Sequence, residues 1–363
     1  MFRNVRSDDL ASSVVAALVA RTGLDPELVD DVVLGCTQQT MEQGLNVARG
    51  VSLLAGLPSK AAATTVNRLC GSSLQALNQA AHSILAGAED VQIVGGLEHM
   101  QHLPMDHGID INPKLFRQTS PGALQMGVTA EFLAQTQGIS RKDQDEFALR
   151  SHRLAAAAQA AGEYRREMIP IEGTDEQGLR AMIDYDQCVR ADTSLEQLGA
   201  LSPAFMPVVG SVTAGNSSPL NDGAAALLMM SEEKARELGL KPLVRVRATA
   251  VAGVDPCVMG TGPVPATQKA LARAGLSLHD IDLVEINEAF AAQTLACLKL
   301  LRLDQEKVNV RGGAIALGHP LGASGARIAT TLIHAMIDRN ATLGLATMCI
   351  GMGQGIATVV ERV

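Results

Sequence analysis

The chain has 363 residues, 47% hydrophobic but only 2% aromatic and without Trp, a length at which one core usually gives way to two or three compact units. A net charge of -8 and the lack of any Lys/Arg cluster exclude a phosphate-backbone footprint and hence a nucleic-acid role. Six scattered cysteines with no C-x-x-C pair suggest neither a zinc site nor a disulfide framework, and the start has no apolar stretch of the kind a leader carries, so a reducing, cytoplasmic setting is expected.

A helix rich in Ala and Leu is predicted to end at Gly23, placed as a C-cap, and the β-branched run Val29 to Leu34 follows as a strand. Further on, Cys70-Gly71-Ser72-Ser73 precedes a predicted helix over Leu74 to Leu85, because Leu74, Leu77, Ala81, Ile84 and Leu85 share a face and Gly87 closes the run. Cys70 is therefore expected at or just before the first turn. Unpaired N–H groups and the positive end of the macrodipole favour a thiolate there, and the small residues after it leave room for a substrate. A small buried thiol is the commoner use of cysteine, so the position alone does not decide. A strand from Val91 to Gly96 comes next.

Residues 99–220 differ in texture: a loop-like stretch from Met105 to Pro113, a long helical pattern from Arg141 to Tyr164, then polar sequence near Gly173 to Asp192. This is expected to be an insertion that covers a site. It closes with turn-forming Thr213 to Ala225 and leads into an apolar strand, Ala224 to Met230.

The first unit then recurs. Arg21-Thr-Gly-Leu returns as Arg273-Ala-Gly-Leu, and Val29-Asp-Asp-Val-Val-Leu as Ile281-Asp-Leu-Val-Glu-Ile, both 252 residues later. At nearly that offset Cys70 falls opposite Ala323, and Val91-Gln-Ile-Val-Gly-Gly opposite Leu343-Gly-Leu-Ala-Thr-Met. Two copies of one α/β unit are expected.

The second copy carries three polar clusters. In Glu285-Ile-Asn-Glu-Ala-Phe290 an Asn-Glu pair ends an apolar strand; Asn287 suits orienting a water or donating to an oxyanion, and equally a strand-to-helix cap. Glycines crowd His319 from Gly312 to Arg327, which implies close backbone approach to something, and Pro320 would hold His319 rigid as a base. In Met348-Cys-Ile-Gly-Met-Gly-Gln-Gly355, Cys349 is expected exposed at a strand end and Gly351 to present its N–H to an anion. The uncharged run Ala341 to Val360 has the length of a membrane span, but its glycines fit a strand, a turn and a second strand better.

Taken in order, Cys70-Gly-Ser, Asn287-Glu-Ala-Phe, Gly318-His-Pro with Gly-Ala-Ser-Gly, and Cys349-Ile-Gly-Met-Gly resemble the four signatures of the thiolase family, over essentially the whole chain. Glu42 to Arg49, Gly95 to Met105 and Met348 to Gly355 resemble the β-subunits of bacterial fatty acid oxidation complexes. The resemblance implies a duplicated fold, two βαβαβαββ halves in a layered αβαβα sandwich. Residues 1–98 and 221–241 would form the first half, 99–220 an inserted loop domain and 242–363 the second half. It implies that Cys70 attacks a 3-ketoacyl-CoA with His319 taking its proton, and that Cys349 protonates the departing enolate. One oxyanion would sit near His319 and a water on Asn287, the other at the N–H groups of Cys70 and Gly351. Ser218 would touch the pantetheine arm and Met126 the acyl group. No metal or redox cofactor is implied, coenzyme A being a substrate. A homodimer joined to two multifunctional α-subunits is implied as the assembly.

Two departures stand out. Phe2 matches a point just beyond the family's opening strand and loop, so a first-half strand is expected to lack its neighbour, leaving either a misplaced start or an impaired product. Pro219 replaces a residue that relatives often keep small, and Pro removes a donor beside the expected CoA contact. Among rivals, a ketoacyl synthase would need two histidines. A biosynthetic acetoacetyl-CoA thiolase shares all four signatures, only the stretch around Glu98 favouring degradation, and a truncated CoA-binding relative would keep the residues without turnover.

Overall fold

The computed structural model describes residues 1–363 as two four-stranded sheets with helices between and outside them. The first sheet has the order β2 (Ala62–Val66), β1 (Asp31–Gly35), β3 (Val91–His99), β6 (Asp222–Met230), with β6 antiparallel. The second runs β7 (Val244–Gly253), β10 (Gln354–Arg362), β9 (Leu343–Ile350), β8 (Leu283–Ile286). Between β3 and β6 the insertion contributes helices α4 (Met126–Gln137), α5 (Arg141–Ala160) and α6 (Leu195–Gly199) and the hairpin of β4 (Ile171–Thr174) and β5 (Arg180–Ile183).

Side-chain alternation explains the layering. In β1, Val33 points to a core shared with Leu74 and Leu77 of α3 (Ser72–Leu85) and Ile328 and Leu332 of α11 (Ser324–Asp338). Its neighbours Val32 and Leu34 point the other way, onto Val15 of α1 (Ser7–Thr22) and Val51 of α2 (Val47–Leu54). Successive strand residues serve opposite faces, so a strand buried on both sides reads as a continuous apolar run. In the second half Met348 and Ile356 face the shared core, whereas Leu345 and Val359 face α8 (Pro263–Ala274) and α9 (Ala291–Leu301). The result is the expected five layers, with α3 and α11 in the middle.

Two expected helices shift by up to a turn: α3 starts two residues early, at Ser72, and α5 stops at Ala160 ahead of Gly162. The uncharged run near the C-terminus is the β9–β10 hairpin, and no helix is long and apolar enough to cross a membrane.

The halves differ at one edge. In the second sheet β7 covers β10, but the corresponding flank of β6 has no strand beside it. A groove of about 1000 Å³ runs there, with Leu227, Met229, Leu332 and Ile333 among its lining.

Candidate active site

Cys70 stands between β2 and α3 on a tight turn whose preceding residue, Leu69, has φ 45°. A non-glycine residue in the left-handed region is uncommon and needs support from its surroundings. Ser72 provides it, donating its hydroxyl to Leu69 O at 2.6 Å and accepting Arg68 N–H at 2.9 Å. The space beside Gly71 is not left for substrate as expected: a Cβ there would meet Ile350 Cδ1 at 2.5 Å, so the residue is small because the β9–β10 hairpin passes.

Cys349, near the end of β9, is buried rather than exposed, at 2%. Gly351 follows on the turn, and its backbone N–H and that of Cys70 itself favour the Cys70 thiolate. Met126, first residue of α4, closes this wall: its sulfur would lie 3.4 Å from a Cβ on Gly351. Burial pushes the Cys70 thiol up to about 11, the two N–H donors opposing it and the charge of Glu98 adding to it. Cys349 is raised well above the ordinary thiol range, by burial first and then by the nearby Cys70. The N–H groups that favour the thiolate are thus those of Cys70 itself and of the β9–β10 turn rather than the free N–H groups of the α3 start, desolvation outweighs them, and the free protein holds both sulfurs as thiols.

His319 comes from the turn before α11. Its N–H donates to Asn221 Oδ1 at 2.6 Å and its Nδ1 lies 2.6 Å from Ser324 Oγ. Because the Ser324 hydroxyl donates to Pro320 O at 2.9 Å, Oγ accepts from Nδ1–H, which leaves Nε2 as the nitrogen with the acceptor lone pair. Burial, with help from Arg327, pushes the imidazole down to about 3, so it is neutral. Asn287, just past β8, brings its Nδ2 to 3.3 Å from His319 Nε2, while its buried Oδ1 has no partner. A buried amide oxygen without a donor marks a place for a polar atom of a bound molecule or water.

The remaining pieces attach to the same loops. Ser218 donates both its N–H and its hydroxyl to Ala289 O, two residues beyond Asn287. The middle helices join the two clusters: Ser73 Oγ on α3 accepts Ala326 N–H on α11 at 2.9 Å. Cys70, Cys349, Gly351 and Met126 thus form one wall, His319 and Asn287 another. Ser324 and Asn221, not singled out in the sequence, prove to orient the histidine. Ser324 was legible in principle, being five residues from His319 at a helix start; Asn221 lies 98 residues away and left no signal.

A doubled five-layer α/β molecule with paired thiols and a neutral histidine at the joint is the architecture of acyl-transferring enzymes of one superfold. The chain belongs to the thiolase family: residues 1–233 match the thiolase N-terminal domain and residues 240–362 the thiolase C-terminal domain. It is 57% identical over 366 residues to the 3-ketoacyl-CoA thiolase of Aeromonas salmonicida, covering 100% of this chain and 95% of that one. The 3-ketoacyl-CoA thiolase of Marinomonas sp. is 57% identical over 367 residues, covering 100% and 94%. The crystal structure of the Bacillus anthracis acetyl-CoA acetyltransferase superposes with a TM-score of 0.90 at 42% identity, covering 100% of this chain and 94% of that one.

Proposed function

We propose that this chain is a 3-ketoacyl-CoA thiolase, cleaving its substrate with coenzyme A to acetyl-CoA and a shortened acyl-CoA. The observation that carries the reading is the pairing of two free thiols, the half-buried Cys70 and the buried Cys349, with Gly351 and Met126 packed beside the Leu69–Cys70 turn. Cys70 gives its proton to His319 Nε2 as its sulfur bonds the 3-keto carbon. The oxyanion gains from Asn287 Nδ2 and from a water that Asn287 Oδ1 would hold. The bond between C2 and C3 then breaks, and Cys349 protonates the enolate. Burial raises this thiol, so it keeps its proton until a carbanion forms beside it. The acyl-Cys70 carbonyl faces the N–H groups of Cys70 and Gly351. In the second half-reaction the thiol proton of CoA replaces the one Cys349 lost, and Cys70 recovers its own from His319 on leaving.

Ser218, tied to the Asn287 loop, and Met126, beside Gly351, are assigned to the pantetheine arm and the acyl chain. Pro219 leaves one fewer donor on that side. A division into residues 1–98 with 221–241, 99–220 and 242–363 is part of the proposal, supported by the return of β6 to the first sheet. A cytoplasmic homodimer is proposed as the working form, supported by an open outer edge on β2 and the fully exposed Leu45 beside it. Partnership with a multifunctional α-subunit rests on the resemblance around Glu98.

The test is thiolysis of a ladder of 3-ketoacyl-CoA lengths, with Cys70→Ala as control. Turnover across the ladder, lost by at least about 10³-fold in the control, supports the reading. Turnover of acetoacetyl-CoA alone would favour the biosynthetic alternative, and none at all would support a CoA-binding relative without turnover.

A further inference from the structure

Glu98 closes β3 as a carboxylate only 1% exposed, outside the chemistry above. Besides the long contact from the Cys36 thiol, five N–H and O–H donors converge on it. The first half supplies Thr37 N–H at 2.9 Å, the Thr37 hydroxyl, Gln38 N–H at 3.2 Å and Gln43 Nε2 at 2.8 Å. The fifth is Gly322 N–H at 2.9 Å, from the second half, three residues beyond His319. A buried carboxylate so supplied makes bonds roughly twice as strong as neutral ones and has no slack to lose.

The other end of the His319–Gly322 turn is held by Asn221, through the His319 N–H. The turn rests on the paired ends of β3 and β6, where Glu98 lies opposite Gly223 and His99 opposite Asp222. A Cβ on Gly223 would meet Pro320 Cγ at 2.9 Å, one on Gly96 would meet Gly322 O at 2.1 Å, and one on Gly322 would meet Leu97 O at 2.3 Å. The histidine's own half therefore does not fix its place alone. The first half grips the turn at both ends.

We propose that Glu98 is a positioning residue for His319, acting with Asn221 to clamp the turn 319–322 onto the nucleophile's half so that Nε2 stays aimed at Asn287. The proposal rests on the reading of His319 as the base. Displacing a catalytic group by about 1 Å costs on the order of 10²-fold in rate, so the clamp is a rate device.

Glu98→Gln keeps the size but turns an NH₂ toward existing donors, so at least one of the five bonds must break. Kinetics of the full-length wild type, E98Q, N221A, H319A and both doubles with H319A decide the role. For E98Q and N221A, kcat should fall about tenfold or more with KM within about threefold, and neither should slow H319A further, since residues acting through one group are not additive. N221A serves if E98Q fails to fold. Hydrogen exchange read by mass spectrometry gives a measure independent of turnover: in both single variants the peptide spanning residues 313–327 should exchange about tenfold faster, while β9 stays unchanged. Unaltered kcat, additive losses on H319A, or unaltered exchange in that peptide would overturn the clamp. If the wild type itself turned over no 3-ketoacyl-CoA, the catalytic reading would fall, and the exchange result would still decide whether the turn is clamped.

Discussion

At the scale of single residues, local position and local electrostatics pull Cys70 in opposite directions. Its own N–H and that of Gly351 on the β9–β10 turn favour the thiolate, yet burial wins and leaves the thiol at about 11. Alkylation by iodoacetamide in the free protein should therefore rise about tenfold per pH unit from pH 7 toward that value, since only the thiolate reacts. Peptide mapping over that range checks it, and acyl-CoA should protect Cys70. A rate already flat at pH 7 would mean that the thiolate is preformed. The motif residues were all legible in the sequence because each breaks an apolar pattern with a polar or small residue. What could not be read was burial: Cys349 looked exposed because strand ends usually are, and only the packing of α4 and Phe290 around it makes it a core residue.

Among the elements, the decisive contact is the crossing of α3 and α11, since it sets Cys70 and His319 at one joint. A Cβ on Gly325 would come within 2.3 Å of Leu74 N, a backbone atom that cannot swing aside. Gly325→Ala should force the two helix starts apart and lower stability by about 1–3 kcal/mol or more. Urea denaturation would measure this, and kcat should fall more than stability alone predicts. An alanine variant with wild-type stability and rate would show that the crossing tolerates slack. The doubled α/β order was visible from the 252-residue offset, because each copy repeats the same helix stop and β-branched run. The partners of the glycines were not. Those around His319 announce close approach, but the approaching atoms come from Asn221 and Leu97, more than 200 residues away in the case of Gly322 and Leu97, and no local pattern encodes such a pairing.

For the molecule as a whole, doubling would make its two sheets equivalents, and they are not. β10 has neighbours on both sides, whereas alternate backbone N–H groups of β6 face the groove. Amides in β6 should lose protons to deuterium at least about tenfold sooner than their counterparts in β10, a difference that exchange mass spectrometry resolves peptide by peptide. Equal protection would mean that something else seals that flank. An uneven pair of halves also implies an order of failure on heating: the lobe bearing the nucleophile should loosen first, so catalytic competence would vanish at a temperature where the histidine's lobe still holds its shape.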